Sequence, residues 1–182
     1  MLAFITGNRH KVAEAEAILG MKLDQRILEV PEIQDLDHEV VVKEKLRYAY
    51  NHLHHPLMVE DTGAYFHALN GLPGEFIKWF IKSLTSEGCY RLVQHCDNKG
   101  AVVKCTVGYT EDGQTLKTFT GTVSGILVAP RGESGFGFDP IFQPDGQDQT
   151  FAEMGERKHE ISHRALAFKK LKEYLYEKGI CR

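Results

Sequence analysis

The spacing of hydrophobic residues changes part-way along this chain, and that change limits the folds open to it. From Ala101 to Val128 the apolar positions recur every second residue, with Ala101, Val103, Cys105, Val107 and Tyr109 on one face. Asp112-Gly113 supplies a turn, so the segment reads as an antiparallel hairpin. The first half behaves differently. Leu2 to Ile5 reads as a strand, followed by Thr6-Gly7-Asn8 and a helix that gathers Val12, Ala15, Ile18 and Leu19 on one face. Ile27 to Val30, closed by Pro31, reads as a second strand. Val42, Leu46, Ala49 and Leu53 repeat at helical spacing, and Leu57 to Val59 reads as a buried strand. Gly63 to Gly74 carries turn chemistry; Phe76, Ile77, Phe80 and Leu84 mark a helix, and Cys89 to Cys96 a further short one. Gly132 to Gly146 is a long Gly/Pro-rich loop, and a last helix runs from near Ser162 to Gly179. Strands alternating with helices, then a hairpin, predict an α/β fold with a mixed sheet flanked by helices.

A chain of 182 residues fits a single domain, here taken as 1–182, and is long enough to bury a core without crosslinks. Four cysteines, Cys89, Cys96, Cys105 and Cys181, form no C-x-x-C pair and are expected to be reduced thiols in a cytoplasmic protein. Apolar runs fall well short of the roughly 20 residues that span a bilayer, so no membrane partner is expected. With 22 basic against 25 acidic residues and a net charge of -3, the chain lacks the excess of a nucleic-acid binder. Any phosphate it binds is expected to be met by a few placed cations or a metal.

Four segments carry residue types suited to such a task, and each has a plainer reading. Thr6-Gly7-Asn8-Arg9-His10-Lys11 joins a strand to a helix, where outward amides and the Lys11 charge make a small anion cradle; it equally fits a bare helix cap with a surface lysine. Glu60-Asp61-Thr62-Gly63 ends an apolar strand. Side chains alternate there, so one carboxylate, taken as Asp61, faces a cleft and could hold a hard cation, with Glu32 as second ligand. Asp61 could instead cap the following turn with Thr62. Gly135-Phe136-Gly137-Phe138-Asp139-Pro140 offers close backbone approach and aromatic faces for a base, or else anchors that pin the loop to the core. Lys158, Ser162, His163 and Arg164 offer donors to phosphate or base oxygens, or ordinary capping by Ser162 with solvated charges behind it.

Taken in order, these segments, together with Leu69-Asn70-Gly71-Leu72-Pro73-Gly74 and Lys78-Trp79-Phe80, resemble the inosine triphosphate pyrophosphatase family. The resemblance spans nearly the whole chain. It implies a long mixed sheet, two lobes with a central nucleotide cleft, dependence on magnesium with manganese as a substitute, and a cytoplasmic homodimer. It implies a purine nucleoside triphosphate as substrate, with phosphate binding at Thr6 to Lys11 and at Lys43 and Lys78. Glu32 and Asp61 correspond to the metal ligands, Thr62, Gly63 and Ser162 continue the substrate contact, and Phe136 to Asp139, Lys158, His163 and Arg164 correspond to base recognition. Phe138 stands where the family usually has tyrosine or tryptophan, and Ala64 replaces a commoner larger aliphatic residue.

The implied chemistry is attack of water on the α-phosphorus, with diphosphate leaving. Asp61 is the expected proton acceptor, Glu60 the alternative, and Lys11 the cation on the negative tail. Hypoxanthine and xanthine present a 6-carbonyl acceptor and an N1–H donor. Arg164 or His163 donating to the first and Asp139 accepting from the second would fit that edge and leave unpaired groups against adenine.

Overall fold

The computed structural model describes residues 1–31, 33, 35 and 37–181. Its strands are β1 (Ala3–Ile5), β2 (Asp24–Arg26), β3 (Leu57–Phe66), β4 (Pro73–Gly74), β5 (Gly100–Thr110), β6 (Lys117–Leu127) and β7 (Phe142–Pro144). Its helices are α1 (Arg9–Leu19), α2 (His38–Leu53), α3 (Ile77–Arg91), α4 (Phe151–Met154), α5 (Lys158–Ile161) and α6 (His163–Glu177). The strands form one seven-stranded sheet ordered β2-β1-β3-β5-β6-β7, with β4 added beside β3. β1 pairs in parallel with β2 and β3, whereas β3–β4 and β6–β7 are antiparallel, so the sheet is mixed.

The chain divides into two compact units, the first comprising residues 1–61, 105–121 and 164–182 and the second 62–104 and 122–163. In the first, α1 and α6 bury Ala15, Leu19, Ala167, Phe168, Leu171 and Leu175 with Phe4 and the β5 face of Cys105, Val107 and Tyr109. Phe4 meets Phe168 edge-on, with ring centroids 5.9 Å apart, and truncating such a ring costs about 3–5 kcal/mol. Val42, Leu46 and Ala49 of α2 pack with Ala3, Ile5, Leu57 and Val59 in a second cluster. The approach of α2 to β5 explains Gly108, where a Cβ would stand 2.6 Å from Val42 and 2.7 Å from Leu46. In the second unit, Phe66, Ile77, Val93, Val103, Ile141, Phe142 and Phe151 form the core.

The hairpin face from Ala101 to Tyr109 is buried throughout. Two expectations are corrected. The second strand is Asp24–Arg26, not Ile27 to Val30, and Ile27 is 80 % exposed. This short strand is selected by backbone pairing to β1, which leaves no hydrophobic period to read. The strand expected to stop at Val59 continues through Gly63 to Phe66, because Ala64 and Tyr65 pair with Gly74 and Pro73. The helices expected around Phe76 to Leu84 and Cys89 to Cys96 meet within Ile77–Arg91, where the backbone leaves the helix at Thr85 (φ 63°, ψ 176°), and the second ends at Arg91.

Candidate active site

The turn after β1 is built by side chains that bond their own backbone. Thr6 Oγ1 accepts from the Asn8 amide at 3.1 Å, and Asn8 Oδ1 caps α1 by accepting from the His10 amide at 2.9 Å. The Thr6 amide donates to the Arg26 carbonyl at 3.0 Å, and Gln25 Nε2 donates to the Thr6 carbonyl at 3.0 Å. Gly7, Arg9 and His10 are exposed, and nothing lies within 4 Å of where a Gly7 Cβ would be. Open backbone at a helix N-terminus suits an anion. Lys11, in the first turn of α1, reaches Glu60 with Nζ 3.2 Å from Oε1.

Glu60 and Asp61 are neighbours on β3 and take different partners, as alternation along a strand requires. The Glu60 side chain is 1 % exposed. Arg164, from the first turn of α6, grips it with two prongs, Nε to Oε2 at 2.9 Å and Nη2 to Oε1 at 3.2 Å. The same guanidinium donates through Nη1 to Glu14 Oε2 at 2.7 Å. Burial works against the Arg164 charge, but Glu60 and Glu14 outweigh it and push the guanidinium pKa up. Asp61 is more open, with 20 % of its side chain exposed. Lys45 Nζ donates to its Oδ1 at 3.0 Å, and His38 Nε2 lies 3.6 Å from its Oδ2. Burial pushes the Asp61 carboxyl up, yet the His38 contact and the Lys45 charge prevail and hold it below the ordinary carboxylate value. His38 Nδ1 lies 3.4 Å from Thr106 Oγ1, which in turn is 2.8 Å from Thr120 Oγ1.

The second unit holds the glycine-rich loop. Gly135 (φ +81°) and Gly137 (φ +67°) need the left-handed backbone, and a Cβ at Gly135 would run into the Asp139 carboxylate. Asp139 Oδ2 accepts from the Phe136 amide at 2.8 Å and from Lys158 Nζ at 2.8 Å, in a pair only 3 % and 4 % exposed. The Lys158 ammonium lies 5.0 Å from the Phe136 ring centroid. Phe138 is a core anchor, in contact with the rings of Phe142 and His163, whereas Phe136 and Gly137 remain half-buried. His163 also stacks on Phe151, and Ser162 is buried at the end of α5. Thr62 is half-buried; Gly63 is buried under the Tyr65 ring, where a Cβ would have only 2.9 Å. Lys78 is exposed, with Nζ 5.4 Å from the Trp79 ring centroid.

The chain matches a known family profile, that of the Ham1 family, over residues 2–174. The chain belongs to the Ham1 family. It is 43% identical over 178 residues to the inosine triphosphate pyrophosphatase of Schizosaccharomyces pombe, covering 96% of this chain and 94% of that protein. It is likewise 43% identical to the inosine triphosphate pyrophosphatase of Emericella nidulans, covering 96% of each. Among solved structures, the HAM1 protein of Coxiella burnetii superposes with a TM-score of 0.84 at 26% identity, covering 97% of this chain and 100% of that one.

Against this Ham1 fold, the sequence-predicted residues fall into three groups. Lys11, Glu60 and Arg164 form one linked cluster, and Phe136, Asp139 and Lys158 another. Lys43 is half-buried and paired to Glu39 at 3.0 Å along α2. Glu32 lies outside the described residues. Three residues escaped the reading of the sequence: Lys45, His38 and Glu14. Lys45 was legible, because it shares the helical face of Val41, Val42, Leu46 and Ala49, all buried, while Lys43 does not. His38 and Glu14 carried no local signal; only the packing of α2 and α6 gives them their partners.

Proposed function

We propose that this chain hydrolyses inosine triphosphate and related non-standard purine triphosphates, dITP and XTP among them, to the nucleoside monophosphate and diphosphate. The observation that carries this reading is Asp61, an accessible carboxylate kept ionised beside Lys45 and His38 at the end of the first unit's part of β3. The names of the relatives support the substrate class. Lys11 and the exposed backbone at Gly7 and Arg9 hold the triphosphate tail, and Lys45 adds a second cation to it.

Ham1 pyrophosphatases generally use a divalent metal ion. Asp61 suits one: it is an oxygen donor, ionised and partly open, and magnesium takes one or two carboxylates with waters and phosphates making up the rest. Asp61 with Glu32 would hold magnesium, with manganese as the substitute. Such an ion supplies charge neutralisation on the phosphates and a more acidic water. The depressed pKa of Asp61 favours holding a cation and orienting the attacking water over keeping a proton. Glu60, enclosed by Arg164 and Lys11, is poorly placed to meet water.

The base edge is assigned to the second cluster. Phe136 offers the half-open ring face, pinned by Lys158, and the enclosed Asp139 fixes the loop that carries it. The resemblance also supports a cytoplasmic homodimer, which light scattering would test. Among the described residues no helix is long and apolar enough to cross a membrane. The test of the function is steady-state hydrolysis of ITP, XTP, dITP, GTP and ATP with magnesium, following diphosphate. Strong preference for ITP, dITP and XTP over ATP is expected; comparable ATP turnover would overturn the assignment.

A further inference from the structure

We infer that His38 is a nitrogen ligand of the metal site built on Asp61, which gives that site a tighter hold on manganese than on magnesium. The inference rests on the reading of Asp61 as a metal ligand and adds a donor to it.

His38 is the first residue of α2, held there by Asp37, whose carboxylate accepts from the Glu39 amide at 2.9 Å. The imidazole is buried, and both of its nitrogens are directed. Nδ1 lies 3.4 Å from Thr106 Oγ1 on β5, and that hydroxyl is tied at 2.8 Å to Thr120 Oγ1 on β6. Nε2 lies 3.6 Å from Asp61 Oδ2, while Lys45 donates to the other oxygen, Oδ1, at 3.0 Å. With the Nδ1 proton given to Thr106, Nε2 turns its lone pair towards Asp61. A bond of this kind from the second ring nitrogen is how proteins orient a histidine ligand. Two donors on one ion, with bonds of about 2.1 Å, stand roughly 3–3.5 Å apart. The 3.6 Å between Nε2 and Oδ2 is close to that spacing and long for a hydrogen bond.

The donor set decides the ion. Magnesium prefers oxygen and keeps several waters, so an imidazole adds little to its affinity. First-row transition ions accept imidazole nitrogen, and a mixed nitrogen and oxygen site therefore favours manganese. A His38 that did no more than pair with Asp61 would act in reverse. It would compete with any cation for the carboxylate, and its loss would strengthen both ions alike.

The experiment titrates manganese and magnesium separately into the purified protein by calorimetry and records the electron spin-echo modulation of the bound manganese, which detects directly coordinated nitrogen. The wild-type protein is expected to bind manganese more tightly than magnesium and to show nitrogen modulation. His38→Gln is expected to abolish the modulation, weaken manganese about tenfold and change magnesium by less than about twofold. Because the chain has nine histidines, Asp61→Asn ties the signal to this site: it is expected to remove tight manganese binding and the modulation together. Should His38→Gln fail to fold, the wild-type and Asp61→Asn spectra carry the test. Absence of nitrogen modulation in the wild type, its survival in either variant, or an equal strengthening of both ions in His38→Gln overturns the proposal. Manganese bound through Asp61 without nitrogen removes His38 alone and leaves the metal reading intact; if the wild-type protein binds neither ion, both are lost.

Discussion

Two lysine–carboxylate pairs in this protein have nearly the same length and opposite surroundings. Lys45 and Asp61 meet at 3.0 Å with 9 % and 20 % of their side chains exposed; Lys158 and Asp139 meet at 2.8 Å with 4 % and 3 % exposed. The open pair leaves a charged oxygen within reach of water, cations and phosphate. The closed pair spends its hydrogen bonds on the Phe136 amide and the shape of the loop. Equal geometry thus leaves one carboxylate accessible and the other enclosed, and the difference is solvent access. Sealed ion pairs break even against desolvation only while both partners remain, whereas an open pair carries little stability to lose.

The sharpest way to break this comparison is Asp61→Asn. Turnover is expected to fall about 10³-fold or more with the circular-dichroism melting curve nearly unchanged. A variant near the wild-type rate would remove Asp61 from the chemistry. Next comes Lys158→Met, which leaves Asp139 buried without its cation and should cost about 3 kcal/mol in urea unfolding. A loss comparable to that of a surface substitution would show that the closed pair is not sealed in solution. A third test separates two lysines on one helix. Lys45→Met is expected to reduce kcat/KM about tenfold or more, and Lys43→Met by less than about twofold, measured with ITP and magnesium. The smallest effect is in acid. Asp61 is held below its ordinary value of 3.8, so the unfolded chain takes up its proton first as pH falls. The stability it contributes is present above that value and is lost as pH drops through the lower folded pKa. Urea unfolding followed from pH 5 to pH 3 should show this acid slope, and Asp61→Asn should flatten it.

The parts of the molecule legible from sequence are those where a local pattern repeats. The buried hairpin face from Ala101 to Tyr109 is read directly from its period of two, and α1 from its apolar stripe. The anion-suited turn is also local, because Thr6 and Asn8 bond atoms two residues away. β2 was misplaced because its pairing with β1, not its own side chains, makes it a strand. Lys45 lies on the helical face that buries Val41 and Leu46, so its place beside β3 is encoded in the period of α2, while its pairing with Asp61 is not.

By itself, the sequence determined the alternation of strand and helix, the late hairpin, the glycines at Gly135 and Gly137 and the presence of paired acids at Glu60 and Asp61. These are properties of short stretches, set by backbone conformation and hydrophobic period. Only the tertiary structure decided that Arg164 stands between Glu60 and Glu14, 104 and 150 residues away in the chain. It likewise decided that Asp61 remains open beside Lys45 while Asp139 is closed over by Lys158. Charge type is written in the residue; whether that charge meets water or a buried partner is set by packing between distant segments, and no local pattern encodes it.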